Sequence, residues 1–296
     1  MVGLWHAVWG FIVILCAFYP PCFGKDATIG GMVATGLAGP RRAYAGSIRD
    51  FVLGVKLLDG RGQVLQFGGR VIKNVAGFDV SRLMVGALGT LGIVLEVSIR
   101  VVPQFETEVT LTYEHASADE HIRWVNRLGS EPYPISASLW HDGRSLLRLS
   151  GSEQGVGQAS AQLGGEKIES NWSALKEQQL DFFDPAEPLS RISLPPTTPD
   201  LLPDKSQLIE WGGAQRWLCG EVDTTALRDK VAGAGGSLCA FRHHAPDVPR
   251  FHPLAAAMLT LQRNIKSSFD PAGIFNPGKL YPCLLYTSDA ADDDYT

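Results

Sequence analysis

The chain has 296 residues, 45% of them hydrophobic and 19% charged, with a formal net charge of −5. That length and apolar content can bury at least one sizeable core and leave room for two. The acidic balance and the lack of a clustered basic run exclude a nucleic-acid surface, whose phosphates demand grouped Lys and Arg, and favour a small-molecule ligand.

Taken from the N-terminus, residues 1–19 contain an apolar stretch from Val8 to Tyr19. It fits neither a signal peptide nor an anchor: there is no Lys or Arg to make a positive n-region, no small-residue cleavage site before Cys22, and the run is short for a bilayer. A glycine-rich run, Thr28-Ile-Gly-Gly-Met-Val-Ala-Thr-Gly-Leu-Ala-Gly-Pro40, follows, and then Lys73-Asn-Val-Ala-Gly-Phe-Asp79 and Gly89-Thr-Leu-Gly-Ile93. Glycines without Cβ let backbone N–H groups approach a diphosphate, so three such segments in order suggest a pyrophosphate cradle and a dinucleotide ligand. Neither the Rossmann glycine pattern nor a P-loop is present, and tight turns remain the alternative for each glycine.

Between these segments the pattern is β. Phe51 to Leu58 is rich in strand formers, Asp59-Gly-Arg-Gly62 has hairpin-turn character, and Gln63 to Phe67 returns. Ile93 to Val102 alternates, and a domain boundary is expected near Pro103. Beyond it, Glu106 to Tyr113 places Val109, Leu111 and Tyr113 on one face. A helix over about 116–128, a strand pair over 135–141 and 145–149, and a helix over about 154–163 follow, which suits α+β layer packing. The six prolines of 185–203 make an irregular crossing with only Arg191 to Leu194 strand-like. A βαβ-like passage is expected over 207–211, 224–232 and 237–242, and helical periodicity over 254–269.

Five cysteines, Cys16, Cys22, Cys219, Cys239 and Cys283, show no Cys-x-x-Cys spacing and no His placed to complete a zinc set. No metal site is expected, and an iron–sulfur cluster would belong to a partner.

The motifs Ala27-Thr-Ile-Gly-Gly31, Gly46-Ser-Ile-Arg-Asp50, Lys73 to Asp79 and Gly89 to Ile93, with Phe269-Asp-Pro-Ala-Gly-Ile-Phe-Asn-Pro-Gly-Lys-Leu-Tyr281 at the far end, resemble the vanillyl-alcohol-oxidase (PCMH) type of flavoprotein, and within it the FAD-binding E subunits of bacterial glycolate oxidases. The similarity runs from about Pro20 to Tyr281. The fold it implies is α+β: the second half of an FAD-binding domain over 20–103, a cap domain over 104–268, and a segment over 269–281 returning to the flavin domain. Residues 1–19 are then a doubtful leader, 282–296 a non-native tail, and the chain is expected to be truncated at its N-terminus and inactive alone.

The resemblance also implies FAD as cofactor. Thr28, Gly30 and Gly31 would offer hydroxyl and backbone donors to the diphosphate, and Ala34 and Gly36 a low surface beside it, a buried turn being the alternative. Gly46, Ser47 and Asp50 would shape the adenine and ribose end, and Lys73 and Asn74 would lie beside the flavin, where an ammonium stabilises charge on the reduced ring. Thr90, Gly92 and Ile93 would bring main-chain groups to the flavin or its ribityl chain, or else mark a bulge; Asn276 would reach it from the returning segment, or cap a turn.

The implied function is oxidation of glycolate, or another small 2-hydroxy acid, within a complex holding a second flavin subunit and an iron–sulfur subunit. That complex would lie in the cytoplasm, with the membrane reached only through it. The alternatives are a non-catalytic subunit keeping the fold and a stand-alone FAD-dependent 2-hydroxy-acid dehydrogenase. No catalytic base is assigned: His243 and His244 sit in loop-like sequence, and His115, His121, His141 and His252 are expected to be isolated surface or packing residues.

Overall fold

The computed structural model describes residues 6–9, 12–69 and 79–284. In chain order these form β1 (His6–Trp9), β2 (Ile12–Leu15), α1 (Ile29–Thr35), α2 (Arg42–Ala45), α3 (Ile48–Phe51), β3 (Val52–Leu58), β4 (Val64–Gly68), α4 (Val80–Leu83), β5 (Ile93–Ile99) and β6 (Val102–Pro103). There follow β7 (Thr107–Glu114), α5 (Ala118–Leu128), β8 (Ile135–His141), β9 (Arg144–Gly151), α6 (Glu153–Leu163), β10 (Glu166–Ile168) and α7 (Trp172–Lys176). The last are β11 (Leu189–Ser193), β12 (Leu208–Glu210), β13 (Gln215–Cys219), α8 (Thr224–Gly233), β14 (Ser237–Arg242) and α9 (Ala256–Phe269). They divide into two units: residues up to 26, 38–47 and 101–252 in the first, and 27–37, 48–100 and 253 onward in the second. The breaks near 100 and 252 differ from the expected ones at 103 and 268, and 38–47 pack with the first unit.

The first unit is built on an antiparallel eight-stranded sheet of order β10-β7-β9-β8-β12-β13-β11-β14. Because β9 is antiparallel to both β7 and β8, those two run parallel, with α5 as the crossover and β9 inserted between them. Likewise β13 and β14 flank β11 and are joined through α8. Each half therefore has the split βαβ arrangement of a ferredoxin-like fold, order β10-β7-β9-β8 on one side and β14-β11-β13-β12 on the other, and the halves join through β8 and β12. The expected βαβ passage from 207 to 242 is thus corrected. The short β13 intervenes, β12 pairs antiparallel with it, and the strand parallel to β14 is β13.

Side-chain alternation gives the sheet two buried faces. On one, Leu111, Leu147 and Leu149 pack against Val125 of α5 and Val156 and Ala159 of α6, while Ile192, Leu218 and Leu238 pack against Leu227 and Val231 of α8. The other face, with Ala137, Leu139, Leu189, Leu208 and Trp217, is covered by Trp172 and Leu175 of α7 and by Phe183. Local caps start the helices where the sequence provides an oxygen: Ser117 accepts from Glu120 N–H at 3.3 Å, Ser152 from Gly155 at 3.2 Å, and Asp223 from Thr225 and Ala226 at 3.0 Å. The proline-rich crossing, which takes the place of a helix in the second half, is tied by the buried Arg216, whose guanidinium donates to the carbonyls of Thr198 and Pro199.

The second unit has a three-stranded antiparallel sheet, order β4-β3-β5, with Leu57 fully buried. The expected hairpin turn is present: Asp59 Oδ1 accepts the N–H groups of Arg61 (2.9 Å) and Gln63 (2.8 Å). Gly60 donates to Phe269 O at 2.8 Å, and a Cβ on it would lie 2.5 Å from Asp270 Oδ1, so only glycine allows the end of α9 to close on the turn. Among the described residues no helix is long and apolar enough to cross a membrane.

Candidate functional site

The glycine-rich run is not an open loop. Residues 29–35 form helix α1 although each glycine in a helix costs about 1 kcal/mol relative to alanine. Thr28 Oγ1 caps it, accepting Gly31 N–H at 2.9 Å, and Met32 and Val33 are buried beneath it. Gly36 ends it in the left-handed region, φ 62°, returning its N–H to Met32 O at 3.0 Å. The expected hydroxyl of Thr28 therefore serves first as a helix cap.

The strip 86–88, which leads into the third glycine segment, docks on this helix through the backbone. Gly86 N–H donates to Val33 O (3.0 Å) and Leu88 N–H to Ala34 O (2.8 Å), and a Cβ on Gly36 would sit 3.1 Å from the Gly86 N and Cα. Ala34 and Gly36 thus give a low surface, and the layer packed on it is the chain's own 86–88 strip.

The returning segment closes the arrangement from the other side. Asn276 Nδ2 donates to Leu88 O at 2.7 Å, and Gly89 faces that amide closely, its hypothetical Cβ lying 2.8 Å from Nδ2. Beneath it Lys266 Nζ spends all three protons, on Thr90 O (2.7 Å), Phe275 O (2.8 Å) and Asp270 Oδ2 (2.5 Å). Asp270 also accepts Ile274 N–H (3.1 Å) and Phe275 N–H (2.7 Å), and its side chain is wholly buried. Burial opposes ionisation of this carboxyl, but the Lys266 ammonium and the two backbone donors outweigh it and hold it below the ordinary carboxylate range. Sequence reading missed this pair: a Lys and an Asp four apart on a helix look like an exposed ion pair, and only its burial makes it a clamp.

Of the remaining expected residues, Thr90 directs its polar groups inward. Its hydroxyl (2.7 Å) and N–H (2.9 Å) donate to Ala87 O and its carbonyl accepts Lys266, so these groups form a turn within the chain. Gly92, at φ 150°, is required by packing, a Cβ there falling 2.6 Å from Leu58 O; Ile93 is 49% exposed at the start of β5. Gly46 ends α2 at φ 97° and lies with Ser47 in the first unit, whereas Asp50 is exposed on α3 in the second. Lys73 and Asn74 lie outside the described residues.

The residues of α1 fit a flavin nucleotide by one test. Gly30 and Gly31 are exposed; a Cβ on Gly30 would meet nothing nearer than Thr28 Oγ1 at 3.9 Å, so packing does not demand glycine at 30, whereas a Cβ on Gly31 would come within 3.2 Å of that oxygen. With the Gly31 N–H taken by Thr28 Oγ1, helix geometry leaves the N–H groups of Ile29 and Gly30 without an intrahelical acceptor beside that bare surface.

The histidines depart from expectation in one place. His115 and His121 are not isolated: both Nδ1 atoms lie on Ser145 Oγ, at 2.7 and 2.8 Å, under Trp124. Burial, with the His115 charge adding to it, pushes His121 down to about 3, so it is a neutral core residue. His244 is held by Ser190 Oγ (3.3 Å) and Leu189 O (3.1 Å).

Comparison with known proteins agrees with this architecture. Residues 5–68 match the FAD binding domain family, and 223–280 the C-terminal domain of FAD linked oxidases. The chain is 44% identical over 263 residues to glycolate oxidase subunit GlcE of Escherichia coli (strain K12), covering 88% of this chain and 74% of that protein. It is 42% identical over 105 residues to glycolate oxidase subunit GlcD of Bacillus subtilis (strain 168), covering 34% of this chain and 22% of that one. A solved structure of alkyldihydroxyacetonephosphate synthase shares the fold, with a TM-score of 0.61 at 13% identity, over 90% of this chain and 61% of the other. The chain spans less than two thirds of that solved protein. With the flavin-family matches falling on both units and GlcE matched along most of the sequence, the chain belongs to the FAD-linked glycolate oxidase subunit family of oxidoreductases.

Proposed function

We propose that this chain is the FAD-binding subunit of a glycolate-oxidising complex that yields glyoxylate and passes electrons through an iron–sulfur partner, with a second flavin subunit in the same assembly. What carries the reading is the likeness to GlcE along 88% of the chain, together with the junction in which 86–90 is fixed between α1 and the returning segment. Bound FAD would supply the acceptor for the hydride leaving the hydroxyl-bearing carbon. The chain's own part is to hold that acceptor. Gly30 and Gly31 present bare backbone for the diphosphate, and Asn276 and Lys266 fix the Leu88–Thr90 turn so that the surface beside it does not shift. Co-expression of the intact gene with its neighbours tests this: a purified assembly with flavin absorbance and an iron–sulfur subunit is expected, and a pure, folded chain lacking both would overturn it.

A second reading, a subunit that keeps the fold without catalysing, is favoured by the inward commitment of Thr90 and the structural engagement of His244. Flavin fluorescence after heat release separates the two, since a purely structural subunit releases none.

A further inference from the structure

Among the described residues of the first unit, Arg41, Arg148, Arg228 and Arg242 each bury one guanidinium nitrogen without a hydrogen-bond partner, and two of them, Arg41 and Arg148, are neighbours. Arg41 is 6% and Arg148 3% exposed, and Arg41 Nε and Arg148 Nη2 are buried without a hydrogen-bond partner. They belong to one network. Arg41 Nη1 donates to Glu108 Oε1 at 2.9 Å; Ser150 Oγ lies 2.7 Å from the same oxygen and 2.6 Å from Ser136 Oγ, which accepts Arg148 Nε at 3.0 Å. Aromatic rings wall the network. Arg148 lies 5.1 Å from the Trp172 ring centre and 5.6 Å from that of Tyr19, and Arg41 stacks on Phe105 at 4.1 Å.

The charges do not balance. Two guanidinium groups face one carboxylate, Glu108, and the nearby Lys176 is matched by its own partner, Glu177, at 2.8 Å. Burial pushes Arg148 down to about 10, with Glu108 opposing, which leaves it a cation at neutral pH. A buried cation is costly unless paired, and a buried donor unless bonded, so the network lacks one negative charge and at least two acceptor atoms. A carboxylate supplies just that: one charge, and two oxygens, enough for one acceptor to each of the two unpartnered N–H groups, Arg41 Nε and Arg148 Nη2. A phosphate dianion would reverse the imbalance, and a neutral ligand would leave it.

We propose that Arg41 and Arg148 form a binding site for a small monocarboxylate. Its identification with the 2-hydroxy acid rests on the function proposed above; the binding itself does not.

Calorimetric titration of the full chain with sodium acetate, sodium glycolate and glycolamide, at constant ionic strength, tests it. Both carboxylates should bind one per chain and neutral glycolamide about tenfold or more weakly; Arg148→Gln and Arg41→Gln should each cost about tenfold in affinity for acetate. Ser136→Ala keeps both charges and removes the hydroxyl that accepts from Arg148 Nε and Ser150 Oγ and donates to Arg148 O, so it should fold with an unchanged circular dichroism spectrum and weaken binding by about twofold to fivefold. Glycolate binding more tightly than acetate supports the site and its identity with the substrate's; equal affinities support the site alone. No heat with either carboxylate in folded protein, which means the donors are satisfied by water, would overturn the proposal, as would equal binding of glycolamide or indifference to all three substitutions. Flavin content of the same sample reports on the flavin reading separately.

Discussion

Helices α5, α6 and α8 each press several side chains into the eight-stranded sheet, whereas the longer α9 buries a single residue, and that residue is Lys266. The sheet of the second unit likewise leaves Val64, Ile93 and Leu95 exposed, at 55, 49 and 47%. In the first unit apolar area removed from water does most of the stabilising, at roughly 25 cal/mol per Å². In the second, the returning segment is held by a few charge-assisted hydrogen bonds, which are directional and fail one at a time. Two parts of one chain should therefore break under different insults.

The largest contrast comes from deleting the anchor of each. Lys266→Met leaves the Asp270 carboxylate buried without a counter-charge and the Thr90 and Phe275 carbonyls without their donor, and should cost about 3–5 kcal/mol. Hydrogen exchange should accelerate at 86–93 and 266–281 and hold steady in β7–β9. Leu147→Ala, at a fully buried position of the first unit, should cost about 2–5 kcal/mol and show the reverse distribution. Equal loss of protection in both units for either variant would mean that the chain unfolds as one body.

Acid and base separate the units next, because each holds a buried carboxyl shifted in the opposite sense. Asp270 titrates below its ordinary value, so its contribution is present above about pH 4 and is lost as pH falls through the folded-state value. Glu210 is 4% exposed; burial pushes it up to about 7 although Trp217 Nε1 (2.7 Å) and Gln215 Nε2 (2.5 Å) donate to it. The folded state then binds more protons than the unfolded one between about pH 4 and 7, and stability falls as pH rises through that window. Urea midpoints should accordingly show Glu210→Gln gaining on the order of 2 kcal/mol at pH 8 and nothing at pH 4. Asp270→Asn should flatten the acid limb only. A Glu210→Gln gain that did not depend on pH would show that packing, not ionisation, is the cause.

How far the sequence revealed this differs by region for a physical reason. Strands of the first unit were legible because alternation repeats over several residues: Val109, Leu111 and Tyr113 do share the helix-covered face. The hairpin turn was legible in Asp59 and Gly62, since turn chemistry is local. The helix at 29–35 was not legible in a run read as a pyrophosphate cradle or a turn, because glycine content argues against helix, and the burial of Met32 and Val33 that overrides it is tertiary. The strand at 215–219 is short and flanked by glycines, so periodicity had too few residues to speak. For the site, glycine placement singled out 28–40, 73–79 and 89–93 but could not tell which glycines face solvent and which, like Gly92, face another strand's carbonyl. The Lys266–Asp270 clamp and the Arg41–Arg148 network were invisible for a shared reason: a charged residue declares its burial only through partners brought from far along the chain.

The smallest expected stability change is the most telling for the flavin reading. Gly30 sits in the first turn of α1 with a φ that alanine can adopt, and an added Cβ meets nothing closer than 3.9 Å. By backbone entropy alone Gly30→Ala should stabilise the second unit slightly, by about 0.5–1 kcal/mol. If a diphosphate approaches that bare backbone, the same methyl group must hold it off, and affinity for FAD should fall while the urea midpoint rises. Packing and cofactor binding thus predict opposite signs at one atom. Fluorescence titration with FAD alongside denaturation reads both, and a variant that gained stability with flavin affinity intact would move the diphosphate away from α1.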